Sequence, residues 1–527
     1  MNTTNKLSPP LTDRELIERL TEENHQQSLE IEYLKERIEL LVAQFYGKKS
    51  EKQPLELPDQ LSYLEDPPEE PVVEPVAETV PVASHTRKKK GRKPLPEELP
   101  RIEVIHDLSA EEKQCTCGEP LTRIGEEVSE QLDYVPAQLR VIRHIRPKYA
   151  CKSCEGVETE GGTVKIASLP KQFIEKSIAS AGLLAYILIA KFVDALPYYR
   201  QEKQLGRLGY EVSRTNMANW TIQAGLKLAK LVELLWHDLL SGPLIHMDET
   251  PFQVLKEKGR SPHNKSFMWV MCSGASENPV VLFHYSPSRS ALVAKELLHS
   301  YTGVVQTDGY NGYDFLDDCN AIQHACCWAH SRRKFMEVLK AKGKYDQKKA
   351  KTGHAEQAVA FFRQLYAIER IADEEKLSAS QRVIKRQKES QPVLEQFHKW
   401  LLQLSPQTPP KGLLGKAIHY TLERWEQLTQ FLNVGSLPLD NNRAENAIRP
   451  FAVGRKNWLF CDTVEGAKAS AVLYSLIETA KANGLNPYDY LKMLFEKFPL
   501  AGTDEELKAL LPQYQVATLS GKKQGAV

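Results

Sequence analysis

The 527-residue sequence lacks a net charge of either sign: 69 Lys and Arg against 68 Asp and Glu leave +1. Any affinity for nucleic acid must therefore be local rather than a property of the whole surface. Long hydrophobic runs are missing too. The most apolar stretch, Ile178 to Ala190, is too short to cross a bilayer and is followed by Lys191 and Asp194, which suits a buried helix. The first ten residues hold no apolar signal region, so we expect a cytoplasmic protein with no membrane contact. No Gly-Lys-Ser/Thr phosphate loop occurs, so no high-energy nucleotide cofactor is expected. Cysteine is scarce, nine residues, and four of them fall in two close pairs.

What is present is a series of short apolar runs that end in acids. Leu244 to Thr250 reads as a buried strand delivering Asp248 to a sheet edge, with a turn after it. Phe267–Cys272 and Val280–Tyr285 read as strands on either side of a turn, and adjacent strands of this kind pair antiparallel. Ser288 to Ser300 reads as a helix whose sheet-facing side carries Ala291, Leu292, the stem of Lys295 and Leu298. Gly303–Thr307 is a further strand, ending in Asp308, and Ala321–Cys326 would be the fifth. This order matches a ribonuclease-H-like fold, a mixed five-stranded sheet with helices, which brings two aspartates to one end. A third acid, Glu445, sits in the first turns of a helix with Asp440 read as its N-cap and as the rival third acid. Three carboxylates at one sheet edge call for a hard cation, and Mg²⁺ or Mn²⁺, two per site, suits phosphodiester chemistry.

Five segments carry a resemblance: Met247–Thr250, Thr307–Tyr310, Cys327–Phe335, Asn441–Asn446 and Gly454–Phe460. In that order they are similar to the motifs of bacterial DDE transposases of the insertion-sequence-sixty-six family. The likeness covers nearly the whole chain. It implies that Asp248, Asp308 and Glu445 are the catalytic, metal-holding triad, with helical material from 337 to 436 inserted between the second and third acids. It also implies accessory proteins encoded beside the transposase. Cys327 and His330 form a Cys-x-x-His element found in several such families; with Arg333 they are expected to support the site, the other reading being a metal pair. Arg332, Arg333, Arg443, Arg449, Arg455 and Lys456 are candidates for holding DNA phosphates, against the reading of plain solvated charges.

Upstream, residues 12–47 repeat every seven. Ile17, Asn24, Ile31, Ile38 and Phe45 form one seam and Leu20, Gln27, Leu34 and Leu41 the other. Ile at one seam, Leu at the other and a single Asn suit a parallel two-stranded coiled coil, with Glu30 and Lys35 placed to pair between chains; a helix packed on its own chain is the alternative. Residues 48–100 read as a linker, acidic and proline-rich from Gln53 to Pro81, then basic. Within it Arg87, Lys88, Lys89, Lys90, Arg92 and Lys93 flank a Gly-Arg step, an AT-hook-like arm for the minor groove or else a tail touching phosphates.

Residues 101–168 carry Cys115, Cys117, Cys151 and Cys154, two pairs that suit one structural Zn²⁺. Gln131–Val135 and Gln138–Ile145 read as strands between the pairs, with Arg140, Arg143, Arg146 and Lys148 on one edge, facing phosphate or merely solvent. The segment resembles the family's zinc-binding domain. Residues 169–240 should be helical, with a helix-turn-helix whose second helix is capped by Ser213. Arg214, Thr215, Asn216 and Asn219 would face bases while Met217 and Trp220 anchor it. The catalytic core is then 241–336 and 437–500, the latter ending in two helices broken at Asn483–Pro487, and 501–527 is a tail with no readable signal.

These readings add up to an insertion-sequence transposase that cuts and joins DNA at element terminal repeats and at a target, working as a homodimer or higher oligomer. A same-fold nuclease that cuts without joining, and a DNA-binding regulator with a dead site, are the alternatives.

Overall fold

The structure is a computed structural model; it describes residues 13–46, 101, 103, 131, 137–150, 164–275, 277–341 and 353–520. The chain divides into two units, one of residues 1–65, 146–206 and 211–527, the other of 66–145 and 207–210. In the second unit the described residues 137–145 carry no strand. This corrects the strand expected at Gln138–Ile145: Val141 is 94% exposed and no ladder partner lies beside it. The four cysteines expected to hold zinc and the AT-hook-like arm lie outside the described residues.

In the first unit the elements, in chain order, begin with α1 (Asp13–Tyr46), then a small antiparallel pair, β1 (Lys148–Ala150) and β2 (Val164–Ile166). Three helices follow, α2 (Ala181–Phe192), α3 (Tyr198–Arg207) and α4 (Arg214–Leu240). The apolar stretch around Ile187 is, as expected, a buried helix, capped by Ser180. Ser213 caps α4, its hydroxyl accepting the Asn216 N–H. Met217 and Trp220 are buried, while Arg214, Thr215, Asn216 and Asn219 are exposed on the opposite side.

The sheet comprises β3 (Leu244–Lys256), β4 (Lys265–Ser273), β5 (Val281–Ser286), β6 (Gly303–Thr307) and β7 (Ile322–Cys326), with α5 (Ala291–Leu297) between β5 and β6. Its order is β5-β4-β3-β6-β7, antiparallel across the first three strands and parallel from β3 onward. Two expectations are corrected here. No turn follows Asp248, because β4 pairs with β3 as far as Gln253 and carries the strand on to Lys256. On α5 the buried face is Val293, Ala294, Leu297 and the adjoining Leu298, whereas Leu292 is 67% exposed. The helix starts three residues later than Ser288, and its buried stripe follows the helical spacing 293, 294, 297, 298 rather than the one through Leu292 and Lys295.

After the sheet come α6 (Trp328–Ala341), α7 (His354–Glu374), α8 (Ala379–Lys385), α9 (Gln391–Leu404), α10 (Leu413–Glu423) and α11 (Trp425–Thr429). Helix α6 runs unbroken through the boundary placed at 336/337. These helices build their own core around Trp328, Phe335, Phe362, Phe397 and Phe431, continuous with Leu244, Val304 and Ala325 of the sheet. A buried guanidinium, Arg386, is fully matched there by both oxygens of Glu369 (2.7 and 2.6 Å) and by the carbonyls of Phe431 and Val434. Such a group is tolerated in a core only when matched in this way.

The chain then returns to the sheet with α12 (Asn442–Trp458), β8 (Cys461–Thr463), α13 (Val464–Ala482) and α14 (Pro487–Lys497). β8 adds in parallel to the far end of β3. α13 covers the edge strand β5: the Thr479 and Ser475 hydroxyls accept the N–H groups of Val281 and Phe283 at 3.0 and 2.8 Å. An otherwise open edge is thereby closed. The tail also folds, as α15 (Asp504–Ala509) and α16 (Pro512–Ser520). Thr503 and Glu506 form a capping box at α15, a Thr-x-x-Glu signal present in the sequence.

Candidate active site

The register between β3 and β6 brings the first two acids together. Leu244 pairs with Val304, Ile245 with Val305 and His246 with Gln306, a constant offset of 304 − 244 = 60. Extending it by two residues sets Asp248 beside Asp308, just where β6 ends and the parallel ladder stops. Adjacent strands lie about 4.8 Å apart, so the two carboxylates emerge as neighbours.

The third acid arrives through Asn441. Its side-chain N–H₂ donates to the carbonyl of Met247 at 2.8 Å, and its carbonyl oxygen accepts from His246 Nδ1 at 3.1 Å. Burial holds His246 near pKa 4, hence neutral and able to keep this tautomer. The Asn441 backbone N–H donates to Cys327 Sγ at 3.1 Å, and its carbonyl accepts the N–H of Glu445 at 3.2 Å. One buried residue thus ties β3, the start of α6 and the first turn of α12. This corrects the cap expected at Asp440: Asn441 occupies the N-cap position with its side chain spent on β3, and Asp440 Oδ1 accepts the Asn442 N–H at 3.3 Å.

Around Glu445 stand His330, Nδ1 3.6 Å from Oε1, and Arg333, a terminal nitrogen 3.4 Å from Oε2. Cys327, His330 and Glu445 offer ligand atoms all within 4.8 Å of one another. Burial, then the neighbouring charge of Glu445, pushes the Cys327 thiol well above its ordinary pKa, and burial pulls His330 down. Cys327, His330 and Arg333 thus lie together at the third acid, and the thiol accepts from the Asn441 backbone.

The electrostatics of the acids follow from crowding. Burial, then the carboxylates of Glu249, Asp308 and Glu445, push Asp248 well above the usual carboxylate range. Glu249 rises to about 7, from burial and the charge of Asp308, against the pull of Arg289. Arg289 Nε donates to Glu249 Oε1 and the Tyr313 hydroxyl to Oε2, each at 2.5 Å. The Arg289 guanidinium also lies 3.6 Å from the centroid of the Tyr310 ring, and the Tyr310 N–H donates to Asp308 Oδ1 at 2.9 Å. Sequence reasoning gave no role to Glu249, Arg289 or Tyr313, and held Asn441 only as the start of the Asn441–Asn446 motif. The signal for Asn441 was its place directly ahead of the Glu445 helix; nothing local marked Arg289.

Among the basic candidates, Arg443 and Lys456 are exposed and Arg449 is partly buried. Arg455 donates to Thr250 Oγ1 at 2.8 Å and to the Pro251 carbonyl, so it also braces β3. Arg332 stacks toward the Tyr366 ring at 5.7 Å. No described helix is long and apolar enough to cross a membrane.

Comparison with known proteins gives this geometry its context. Residues 176–469 match the family described as "Transposase IS66 family", and 475–513 the "IS66 C-terminal element". Residues 112–155, which contain all four paired cysteines, match the "zinc-finger binding domain of transposase IS66". Residues 33–104 match "Transposase C of IS166 homeodomain". The uncharacterized protein y4jD of Sinorhizobium fredii is 35% identical over 431 residues, 79% of this chain and 81% of that one. The uncharacterized protein y4qI of the same organism is 32% identical over 452 residues, 82% and 80% of the two chains. These matches define the class, an insertion-sequence transposase, which is an enzyme that modifies nucleic acid and binds DNA. The chain belongs to the Transposase IS66 family. A zinc-finger domain fits a structural zinc, and the transposase domain fits divalent metal ions.

Proposed function

We propose that the chain cuts and joins DNA through Asp248, Asp308 and Glu445. The observation that carries this is the register-matched pair Asp248 and Asp308 with Glu445 close enough to raise the proton affinity of Asp248. The strand order β5-β4-β3-β6-β7, three antiparallel strands followed by parallel ones, is that of a ribonuclease-H-like domain, and the α6–α11 helices are its insertion.

The donor set fits a hard divalent ion. All three acids supply oxygen, and the buried Glu445 Oε1 accepts no hydrogen bond. Two Mg²⁺ or Mn²⁺ ions held by these acids would supply Lewis acidity to the attacking and the leaving oxygen. Asn441 and Arg333 orient Glu445, Tyr310 orients Asp308, and the Glu249–Arg289 pair sets local charge beside Asp248. Water is the nucleophile for nicking each element end, and the freed 3′-hydroxyl is the nucleophile for joining to target DNA.

The remaining assignments belong to the same reading. Arg214, Thr215, Asn216 and Asn219 meet DNA from the exposed start of α4, and Arg443, Arg449 and Lys456 meet phosphates near the triad. Cys115, Cys117, Cys151 and Cys154 hold one Zn²⁺, and the basic arm from Arg87 to Lys93 adds affinity. Pairing of two ends calls for a homodimer or larger assembly through α1, with accessory proteins of the same element.

The test is strand transfer by purified full-length protein with Mg²⁺ and labelled DNA bearing the borders of its own element. We expect joined products that vanish with Asp248→Asn, while DNA binding persists. Cutting without joining would favour the nuclease reading, and binding without reaction in the presence of the element's other proteins would favour the regulator.

A further inference from the structure

The helical insertion touches the second acid itself. α10 presents Tyr420 and Arg424, one turn apart on the same face, to the segment that begins at Asp308. The Tyr420 hydroxyl donates to the backbone carbonyl of Asp308 at 2.5 Å. Arg424 donates to Asp314 Oδ1 at 2.6 Å and to Asn311 Oδ1 at 3.1 Å, both on the 3₁₀ turn Asn311–Leu316 that follows Asp308.

The chain between these two tethers is built to be held. Gly309 has φ +84°, and a Cβ there would lie 2.7 Å from the Tyr420 hydroxyl, so the close approach of the tyrosine requires glycine. Beneath it, Asp317 Oδ1 lies 2.7 Å from His324 Nδ1, His324 Nε2 lies 2.9 Å from Thr307 Oγ1, and Thr307 Oγ1 accepts the Gly309 N–H at 3.3 Å. The backbone that carries Asp308 is therefore held from the sheet side by His324 and Thr307, through Gly309, and from the insertion side by Tyr420. The insertion side is held in turn: the Thr421 and Ser331 hydroxyls lie 2.6 Å apart, joining α10 to α6, and the Lys334 ammonium lies 4.6 Å from the Tyr420 ring centroid.

We propose that Tyr420, backed by the Arg424–Asp314 tether, is a positioning residue through which the insertion sets Asp308 for divalent-cation binding. The inference rests on the reading of Asp308 as a metal ligand. The insertion on this view is part of the metal site rather than an appendage, and a displacement of α10 would loosen the second acid without moving the first.

The test is Mn²⁺ binding to the zinc-loaded full chain, followed by the loss of the free-ion paramagnetic resonance signal. Tyr420→Phe keeps the ring and removes one hydrogen bond. It should raise the Mn²⁺ dissociation constant roughly three- to tenfold, the span of one net hydrogen bond, and shift the Mg²⁺ concentration for half-maximal strand cleavage by a similar factor. Asp314→Asn, on the loop surface, should shift both in the same direction. Tyr490→Phe removes a buried hydroxyl bonded to the Leu510 carbonyl at 3.2 Å in another part of the molecule and should shift neither. Unchanged Mn²⁺ binding in Tyr420→Phe, with binding lost in Asp308→Asn, overturns the positioning role alone. Full binding in Asp308→Asn overturns the ligand reading and the proposal with it.

Discussion

At the residue scale, Asp248 and Glu249 are consecutive buried acids, both pushed above the usual carboxylate range, that differ in their partners. Asp248 is buried among three other carboxylates, and the one hydrogen bond in which its Oδ1 accepts the Glu249 N–H (2.8 Å) would survive in an asparagine. Removing its charge relieves repulsion that only a cation would otherwise relieve. We therefore expect Asp248→Asn to abolish strand cleavage while leaving the metal-free protein as stable or more so, by about 1 kcal/mol. Glu249 is bonded to Arg289 and Tyr313, and Glu249→Gln leaves a half-buried guanidinium without its anion. That change should destabilise by about 1–3 kcal/mol. Thermal or denaturant unfolding of the two variants without added divalent ions checks the pair. Loss of stability in Asp248→Asn would mean that the carboxylate is structural.

At the scale of elements, α2 meets the end of α12 through a lysine. The Lys191 ammonium lies 4.3 Å from the Tyr198 ring centroid and 5.4 Å from that of Trp458, and burial lowers its pKa to about 8. Between about 8 and the ordinary 10.5 the unfolded chain holds this proton and the folded one does not, so this group's contribution to stability rises with pH across that window. Below pH 8 the cost of burying the charge is carried in full. Lys191→Met keeps the length and removes the titration. The difference in Tm, wild type minus Lys191→Met, should increase from pH 7.5 to 9.5. Taking the difference cancels buried thiols that do not face Lys191, such as Cys272 and Cys326, whose contribution to stability falls with pH at the upper end. A flat difference would show the lysine to be solvated.

What was legible at this scale divides by the range of the signal. The five strands, the apolar helix around Ile187, the cap at Ser213 and the break before Pro487 were all visible, because each rests on residues within a few positions. The three acids were visible, Asp308 at a strand end, Glu445 in a first helical turn and Asp248 in a strand that runs on past it, and the motifs around them resembled a known family. The offset of 60 that sets Asp248 beside Asp308 was not visible, since register depends on partners distant in the chain. The same holds for Asn441, Arg289 and Tyr420, whose partners lie 40 to 195 residues away. The brace that Arg455 gives to β3 was hidden for the same reason, since the Pro251 carbonyl it serves lies 204 residues away.

At the scale of the whole molecule, the proposed reading has α1 set how many chains act together. It is 34 residues long, and its seam residues Ile17, Leu20, Ile31, Leu34 and Ile38 are 51–64% exposed. Isolated helices are marginal in water, and most helical stability comes from burying an apolar stripe. The seam has the Ile and Leu spacing of a two-stranded coiled coil, with Asn24 and Gln27 as its polar members. A second copy of α1 would cover the stripe and bring two active sites to two element ends. Ile31→Lys with Leu34→Lys places four like charges at the middle of such a dimer. We expect this double variant to halve the particle mass by light scattering, to keep the catalytic fold by near-ultraviolet circular dichroism, and to bind one DNA end with unchanged affinity. Complexes holding two ends, read on native gels, should be lost along with strand transfer. Unchanged mass would assign pairing to another surface. Halved mass with two-end complexes intact would mean that DNA, rather than α1, brings the protomers together.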